Sequence, residues 1–182
     1  GPLTNLALAL RLDPGLSKRN PRIVTMGGAY LEGNTTPSAE FNILADPEGA
    51  KVVNNAGIPI LMVGLEVTKQ ALVTPADVEM LRSLDTPQAK VSAEVMLDEI
   101  LWTIREYGWE GGQIFDACTV AEIIEPGLIE TQPMWVDVEV NGDLTRGRTV
   151  ADISGRSKRQ PNVDAGTGIN RKRFIEIMAE AL

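Results

Sequence analysis

A chain of 182 residues, 43% of them apolar, can bury one hydrophobic core and reads as a single α/β domain over 1–182. Its 17 basic and 25 acidic side chains leave a net charge of −8, which disfavours nucleic acid, and no apolar run approaches the roughly 20 residues of a membrane span. The single Cys118 excludes an internal disulfide framework and fits a reducing, cytoplasmic setting, and the lack of histidine removes the commonest acid–base group and metal ligand.

In chain order, Leu3, Leu6, Ala7 and Leu10 recur at helical spacing, and Asp13-Pro14-Gly15 ends that helix. Arg22 to Met26 reads as a buried strand running into Gly27-Gly28. Asp46-Pro47-Glu48 supplies a cap acceptor and a proline at the first helical position, and the helix it opens stops near Asn54-Asn55-Ala56-Gly57. Ile58 to Leu65 is a continuous apolar run, as strands covered on both faces of a parallel sheet require. Thr74-Pro75 and Thr86-Pro87 open two further helices; the second carries a stripe of Ala93, Leu97, Ile100, Leu101 and Ile104 and stops at Gly108. Asp116 opens a short helix, Ala117 to Ile124, closed by Pro126. Met134, Val136, Val138 and Val140 alternate with polar or amphipathic residues and lead into Asn141-Gly142, a type I′ hairpin signal whose return strand is expected near Leu144 to Ile153. Asn170 caps a last helix through Phe174, Ile177 and Met178. The basic groups Arg156, Lys158, Arg159 and Arg171-Lys172-Arg173 read as solvated faces.

Only two of these strands read as fully buried and parallel, fewer than an open α/β sheet normally has. Further strands are therefore expected ahead of Gly1, which makes the domain incomplete as it stands. A half-sheet of this kind exposes an unpaired edge and an apolar helix-packing face, so self-association or dependence on a partner is expected.

The richest polar stretch is Glu32-Gly33-Asn34 through Ala39-Glu40-Phe41-Asn42, directly after the first strand and its glycine pair. Strand, glycine pair and polar loop form the arrangement by which α/β folds present ligand-reading side chains at the carboxyl edge of a sheet. Asn34, Glu40 and Asn42 combine one carboxylate with two amides, a set that donates to and accepts from neighbouring hydroxyls, as a sugar requires. The same residues also suit a plain turn and capping loop.

Taken in order, these motifs resemble the inosine-uridine-preferring nucleoside hydrolase family. The resemblance runs through Gly1-Pro2-Leu3-Thr4-Asn5, Val24-Thr25-Met26-Gly27-Gly28, the loop from Glu32 to Ile43, Asp46-Pro47-Glu48 and Met62 to Thr68. It continues through Phe115-Asp116-Ala117-Cys118-Thr119-Val120-Ala121, Gly147 to Asp152 and Pro161-Asn162-Val163. It implies a nucleoside-hydrolase-like fold, a mostly parallel Rossmann-like sheet flanked by helices with a C-terminal β-hairpin. It also implies calcium-dependent hydrolysis of the N-glycosidic bond of ribonucleosides to ribose and free base, by a homodimer or homotetramer. Asn34, Glu40 and Asn42 correspond to the family's sugar contacts, Met26 would pack beneath the ribose, and Asp116 matches the C-terminal calcium ligand. Read without the family, Asp116 is a helix N-cap.

Three departures accompany the match. The family's acidic signature Asp-x-Asp-Pro-Gly-x-Asp-Asp, which supplies most calcium carboxylates and the water-activating aspartate, is absent, and the Asp13-Pro14-Gly15 here is a helix-ending turn. The catalytic base is therefore expected outside residues 1–182, and this chain by itself is expected to bind calcium weakly and to be inactive. Phe115 stands where many members carry a histidine, so activation of the leaving base would fall to stacking on Phe115 or Trp109; equally, Phe115 suits the core. Glu66 replaces the aspartate usual in the family's Gly-Leu-Asp-Val-Thr strand. These departures leave open a non-catalytic nucleoside- or ribose-binding relative, or a subunit that completes a partner.

Overall fold

The computed structural model describes residues 1–19 and 22–182, which gather into two compact units, Gly1–Val67 with Glu130–Gly168 and Thr68–Ile129 with Ile169–Leu182. In the first unit, α1 (Thr4–Leu12) buries Ala7 and Leu10 and ends at Asp13, whose amide closes on Ala9 O. A single turn, α2 (Leu16–Arg19), follows without a sequence signal of its own, and then β1 (Ile23–Met26).

Past the polar loop lie the short helix α3 (Phe41–Ala45) and α4 (Pro47–Asn54). Asp46 caps α4 by accepting from Gly49 N at 2.9 Å, and proline stands in its first turn. Next comes β2 (Ile60–Val63), buried at every position, and a turn of helix, α5 (Leu65–Thr68), takes over the end of the apolar run.

The sheet runs in the order β1, β2, β6 (Val163–Ile169) and β3 (Ile129–Met134). β1 and β2 are parallel, in register from Ile23 opposite Ile60 to Met26 opposite Val63, and β6 lies parallel to β2 on its other side. α1, α4 and the inner sheet residues share one core, in which Ala50 and Val53 pack with Ile60, Met62 and Ala165.

The alternating run after Met134 does not form one strand. β3 ends at Met134, and β4 (Val136–Val138) belongs to a separate antiparallel pair with β5 (Thr149–Ala151). β3 carries Pro133 and a mostly exposed face, which suits the outer strand it forms, since proline cannot donate to a neighbouring strand. The hairpin pairing is present, with Val138 opposite Thr149, but the type I′ turn is not. Neither Asn141 nor Gly142 has the positive φ that such a turn needs. Instead Glu139 Oε1 accepts from both their amides, at 2.7 and 3.2 Å, and opens a wider loop that returns at Gly147.

The second unit is helical. α6 (Pro75–Arg82) begins with a reciprocal capping box between Thr74 and Asp77, and α7 (Pro87–Tyr107) runs from Thr86 to a left-handed Gly108. Its buried stripe keeps Ala93 and Ile100 of the expected one but is completed by Ala89, Met96 and Thr103 in place of Leu97, Leu101 and Ile104. The two alanines and the backbone of Gly112, lying over Ile100, favour that face because small groups permit close approach. Leu101 is accordingly exposed. α8 (Ala117–Ile124) and α9 (Arg171–Ala181) complete the unit, with Asn170 Oδ1 capping α9 through Arg173 N at 3.1 Å. Val91, Val95, Val120 and Ile124 remain exposed along an apolar groove of about 460 Å³. None of the helices described is long and apolar enough to cross a membrane.

Candidate functional site

The carboxyl end of β1 is where the first unit concentrates its polar side chains. The last sheet hydrogen bond there runs from Gly27 N to Val63 O. Beyond it four successive amides are each taken by a side chain. Glu40 Oε2 accepts from Gly28 N at 2.8 Å, and Thr149 Oγ1 accepts from Ala29 N at 2.8 Å. Glu66 Oε1 accepts from both Tyr30 N and Leu31 N, at 2.9 and 2.8 Å. The carbonyls are held too: Ala29 O accepts from Thr149 Oγ1 at 2.6 Å and Gly28 O from Leu65 N at 3.0 Å. With its amides committed, the segment after the glycine pair is a fixed support, not a cradle of free donors for an anion. Gly28 is needed there: its φ is 84°, and a Cβ would sit 3.0 Å from Thr149 Cγ2.

The loop that follows is curled tightly on itself. Ala39 O accepts from the amides of Asn34, Thr35 and Thr36, and a Cβ on Gly33 would stand 2.2 Å from Thr36 O. Only glycine fits that close approach. Asn34 Oδ1 accepts from Phe41 N at 3.0 Å, which ties the start of the loop to its end.

Glu40 is the centre of the arrangement and is 2% exposed. It is the N-cap of α3: Oε1 accepts from Asn42 N at 2.8 Å and Oε2 from Ile43 N at 3.2 Å, in addition to Gly28 N. A carboxylate has about four acceptor positions, so one on Oε1 is still open. Asn42 Nδ2 donates to Met26 O at 3.2 Å and lies 3.4 Å from Met26 Sδ. Met26, Asn34, Glu40 and Asn42 are thus brought together as expected, each through a bond that also defines the backbone. The Asn34 amino group and Asn42 Oδ1 have no protein partner among the described residues. One amide donor and one amide acceptor are therefore available to a polyhydroxylated ligand.

Thr149 and Glu66 had no place in the site as read from sequence. Thr149 reads as an ordinary β-branched strand residue, and Glu66 stood out only as a departure from the family's aspartate. Nearby, Tyr30 donates its hydroxyl to Gly166 O, and burial with the Glu66 charge beside it pushes its phenol above the usual tyrosine range.

Phe115 and Asp116 belong to the second unit. Asp116 precedes α8, but its side chain makes no cap hydrogen bond; only its carbonyl is engaged, by Thr119 Oγ1 at 2.7 Å and Thr119 N at 3.1 Å. The capping alternative for this residue is not realised, and the carboxylate is exposed. Phe115 is half-buried, and Trp109 packs against Tyr107, which in turn meets Trp102 edge-on at 5.4 Å. Among the described residues no three His, Cys, Asp or Glu side chains gather as a metal-binding group.

Burial pushes the Cys118 thiol up to about 12, and the residue is buried in α8. At pH 8 the native chain is expected to react with Ellman's reagent at least about a hundredfold more slowly than the chain in guanidinium, because the thiolate is the reacting form. Equal rates in the two conditions would show that the thiol is accessible.

A mostly parallel sheet flanked by helices, with a buried carboxylate and two amides at the carboxyl end of β1, defines an α/β protein. The chain belongs to the inosine-uridine preferring nucleoside hydrolase family, whose profile matches residues 1–176. Over its whole length it is 42% identical to a pyrimidine-specific ribonucleoside hydrolase RihA of Shewanella woodyi and 41% identical to one of an Enterobacter species. It spans 59% and 58% of those two relatives. Among solved structures, a purine-preferring ribonucleoside hydrolase from Gardnerella vaginalis superposes with a TM-score of 0.87 at 32% identity, covering 100% of this chain and 60% of that one. A plant nucleoside hydrolase gives 0.90 at 29% identity, covering 99% and 59%. The chain thus spans about three-fifths of the proteins it matches.

Proposed function

We propose that the chain is the C-terminal part of a ribonucleoside hydrolase, acting in the cytoplasm as a homo-oligomer, and that its own contribution is to bind the ribose. The observation that carries this reading is the linked set Met26, Asn34, Glu40 and Asn42 at the end of β1, in a chain of this family. Cleavage of an N-glycosidic bond develops oxocarbenium-like charge on the sugar, and contacts that tighten as the ring flattens lower the barrier itself. The Asn34 amino group would donate to a sugar hydroxyl, and Asn42 Oδ1 and the open position on Glu40 Oε1 would accept, with Met26 beneath the ring. Because the Asn34, Glu40 and Asn42 side chains are each held by a bond to the backbone, little ordering cost remains when the sugar binds. Phe115 in place of histidine favours stacking as the means of engaging the base. The higher identity to the pyrimidine-specific relatives favours uridine over inosine.

Calcium, as a hard cation, takes six to eight oxygens and when bound acidifies a coordinated water. Asp116, free of a capping role, offers one carboxylate, and the described residues do not bring the remainder of such a donor set together. Calcium binding by this chain alone is therefore expected to be weak. That observation favours a second reading, a nucleoside- or ribose-binding relative without hydrolytic activity. Titration of the chain with ribose, uridine and inosine, followed by a ribose-release assay, with calcium and with chelator, on the chain joined to the acidic N-terminal portion of a family member, separates the two. Binding with chelator-sensitive release supports the hydrolase, binding without release supports the second reading, and no binding removes both.

A further inference from the structure

The four amides from Gly28 to Leu31 are secured from three distant elements, and only one of the three holders, Glu40, belongs to the polar loop. We propose that Glu66 and Thr149 are positioning residues, which act through the backbone of 28–31 to hold the loop carrying Asn34, Glu40 and Asn42 in its ligand-reading conformation. This rests on the sugar-binding reading of that loop.

Two features support the assignment. Glu66 Oε1 alone accepts from two consecutive amides, and Thr149 Oγ1 both accepts from and donates to the same residue, Ala29. Such bonds fix the direction of each peptide plane as well as the position of the chain. The segment so fixed leads without a break into the curl at Gly33, so a rotation at Tyr30 or Leu31 moves Asn34 relative to Met26. The longer side chain at position 66 also acquires a purpose. An aspartate there would draw the oxygen back by about 1.5 Å, the length of one carbon–carbon bond, which takes both contacts beyond hydrogen-bonding distance. Glu66 reaches these amides because it lies in the first turn of α5, just after β2 and beside the carboxyl end of β1.

The test uses the full chain and two readouts, amide hydrogen exchange over 28–31 and the affinity for ribose by calorimetry. In Glu66→Ala and Glu66→Asp, exchange at Tyr30 and Leu31 is expected to rise, and ribose affinity to fall, each by about tenfold or more, the loss of a hydrogen bond or two. Glu66→Gln should restore both, because its amide oxygen accepts from the same two donors. If the Glu66 variants do not fold, Thr149→Val is read in the same way at Ala29. Unchanged exchange would overturn the clamp. Faster exchange with unaltered ribose affinity would overturn the positioning role and leave only a structural one. If the unmodified chain takes up no ribose or nucleoside, the sugar reading falls and takes the proposal with it, which the wild-type titration distinguishes from failure of the clamp.

Discussion

Glu40→Ala is expected to destabilise the chain by about 4 kcal/mol, a large part of the total for a domain of this kind. The figure follows from what the carboxylate holds. Its removal strands the amides of Gly28 and Ile43 in buried surroundings, at about 1–3 kcal/mol each, while the Asn42 amide is half-exposed and recovers water. The bonds to Asn42 N and Ile43 N are themselves the N-cap of α3, so the helix start is lost in the same step. Glu40→Gln keeps the shape and one acceptor oxygen but turns an amino group toward a backbone donor, so an intermediate loss of about 2 kcal/mol is expected. Urea denaturation followed by circular dichroism and tryptophan fluorescence measures both. Sugar binding should fail in Glu40→Ala under conditions where the chain is still folded, since Gly28 and Asn42 lose their common anchor. A loss below about 1 kcal/mol would mean that water replaces the carboxylate and that it has no organising part.

Asp116→Asn is expected to behave in the opposite way, with stability preserved and ligand chemistry lost. The Asp116 side chain makes no cap hydrogen bond, so the unfolding free energy should stay within about 0.5 kcal/mol, as for most exposed substitutions. A capping role would cost about 1 kcal/mol, and for a chain of this size that lowers Tm by about 2–4 °C. Against that steady background, the weak calcium binding expected of the chain should fall about a hundredfold, a scale on which even the outer partners of a metal act. Calorimetric titration with calcium and a thermal melt on the same samples give both numbers. A lowered Tm with unchanged calcium binding would assign Asp116 to the fold and remove it from the proposed metal set.

Several parts of this protein are legible one turn at a time. Pairs such as Thr74 with Pro75, Thr86 with Pro87 and Asp46 with Pro47 open helices because a short oxygen-bearing side chain satisfies amides two or three residues ahead. Gly108 closes α7 because a left-handed residue is needed there, and the run around Ile60–Val63 is a buried strand because both its faces must be apolar. Order and spacing of such motifs were enough to indicate the family, and with it the grouping of Met26, Asn34, Glu40 and Asn42.

What local pattern missed depends on residues far apart in the chain. The alternation of Met134, Val136 and Val138 looks continuous, yet whether it stays in one sheet depends on which neighbour accepts it, and the chain passes from β3 to the β4–β5 pair at Trp135. Asn141-Gly142 carries the composition of a tight turn, but the Glu139 carboxylate captures both amides and sets a wider one. Glu66 reaches Tyr30 across 36 positions and Thr149 reaches Ala29 across 120. By itself, the sequence determined the class, the order of the elements and the residues that form the polar loop, because capping, periodicity and turn chemistry act within a few residues. Only the tertiary structure decided how that loop is held, because a buried amide must find an acceptor wherever the fold supplies one, and here the acceptors come from distant strands and helices.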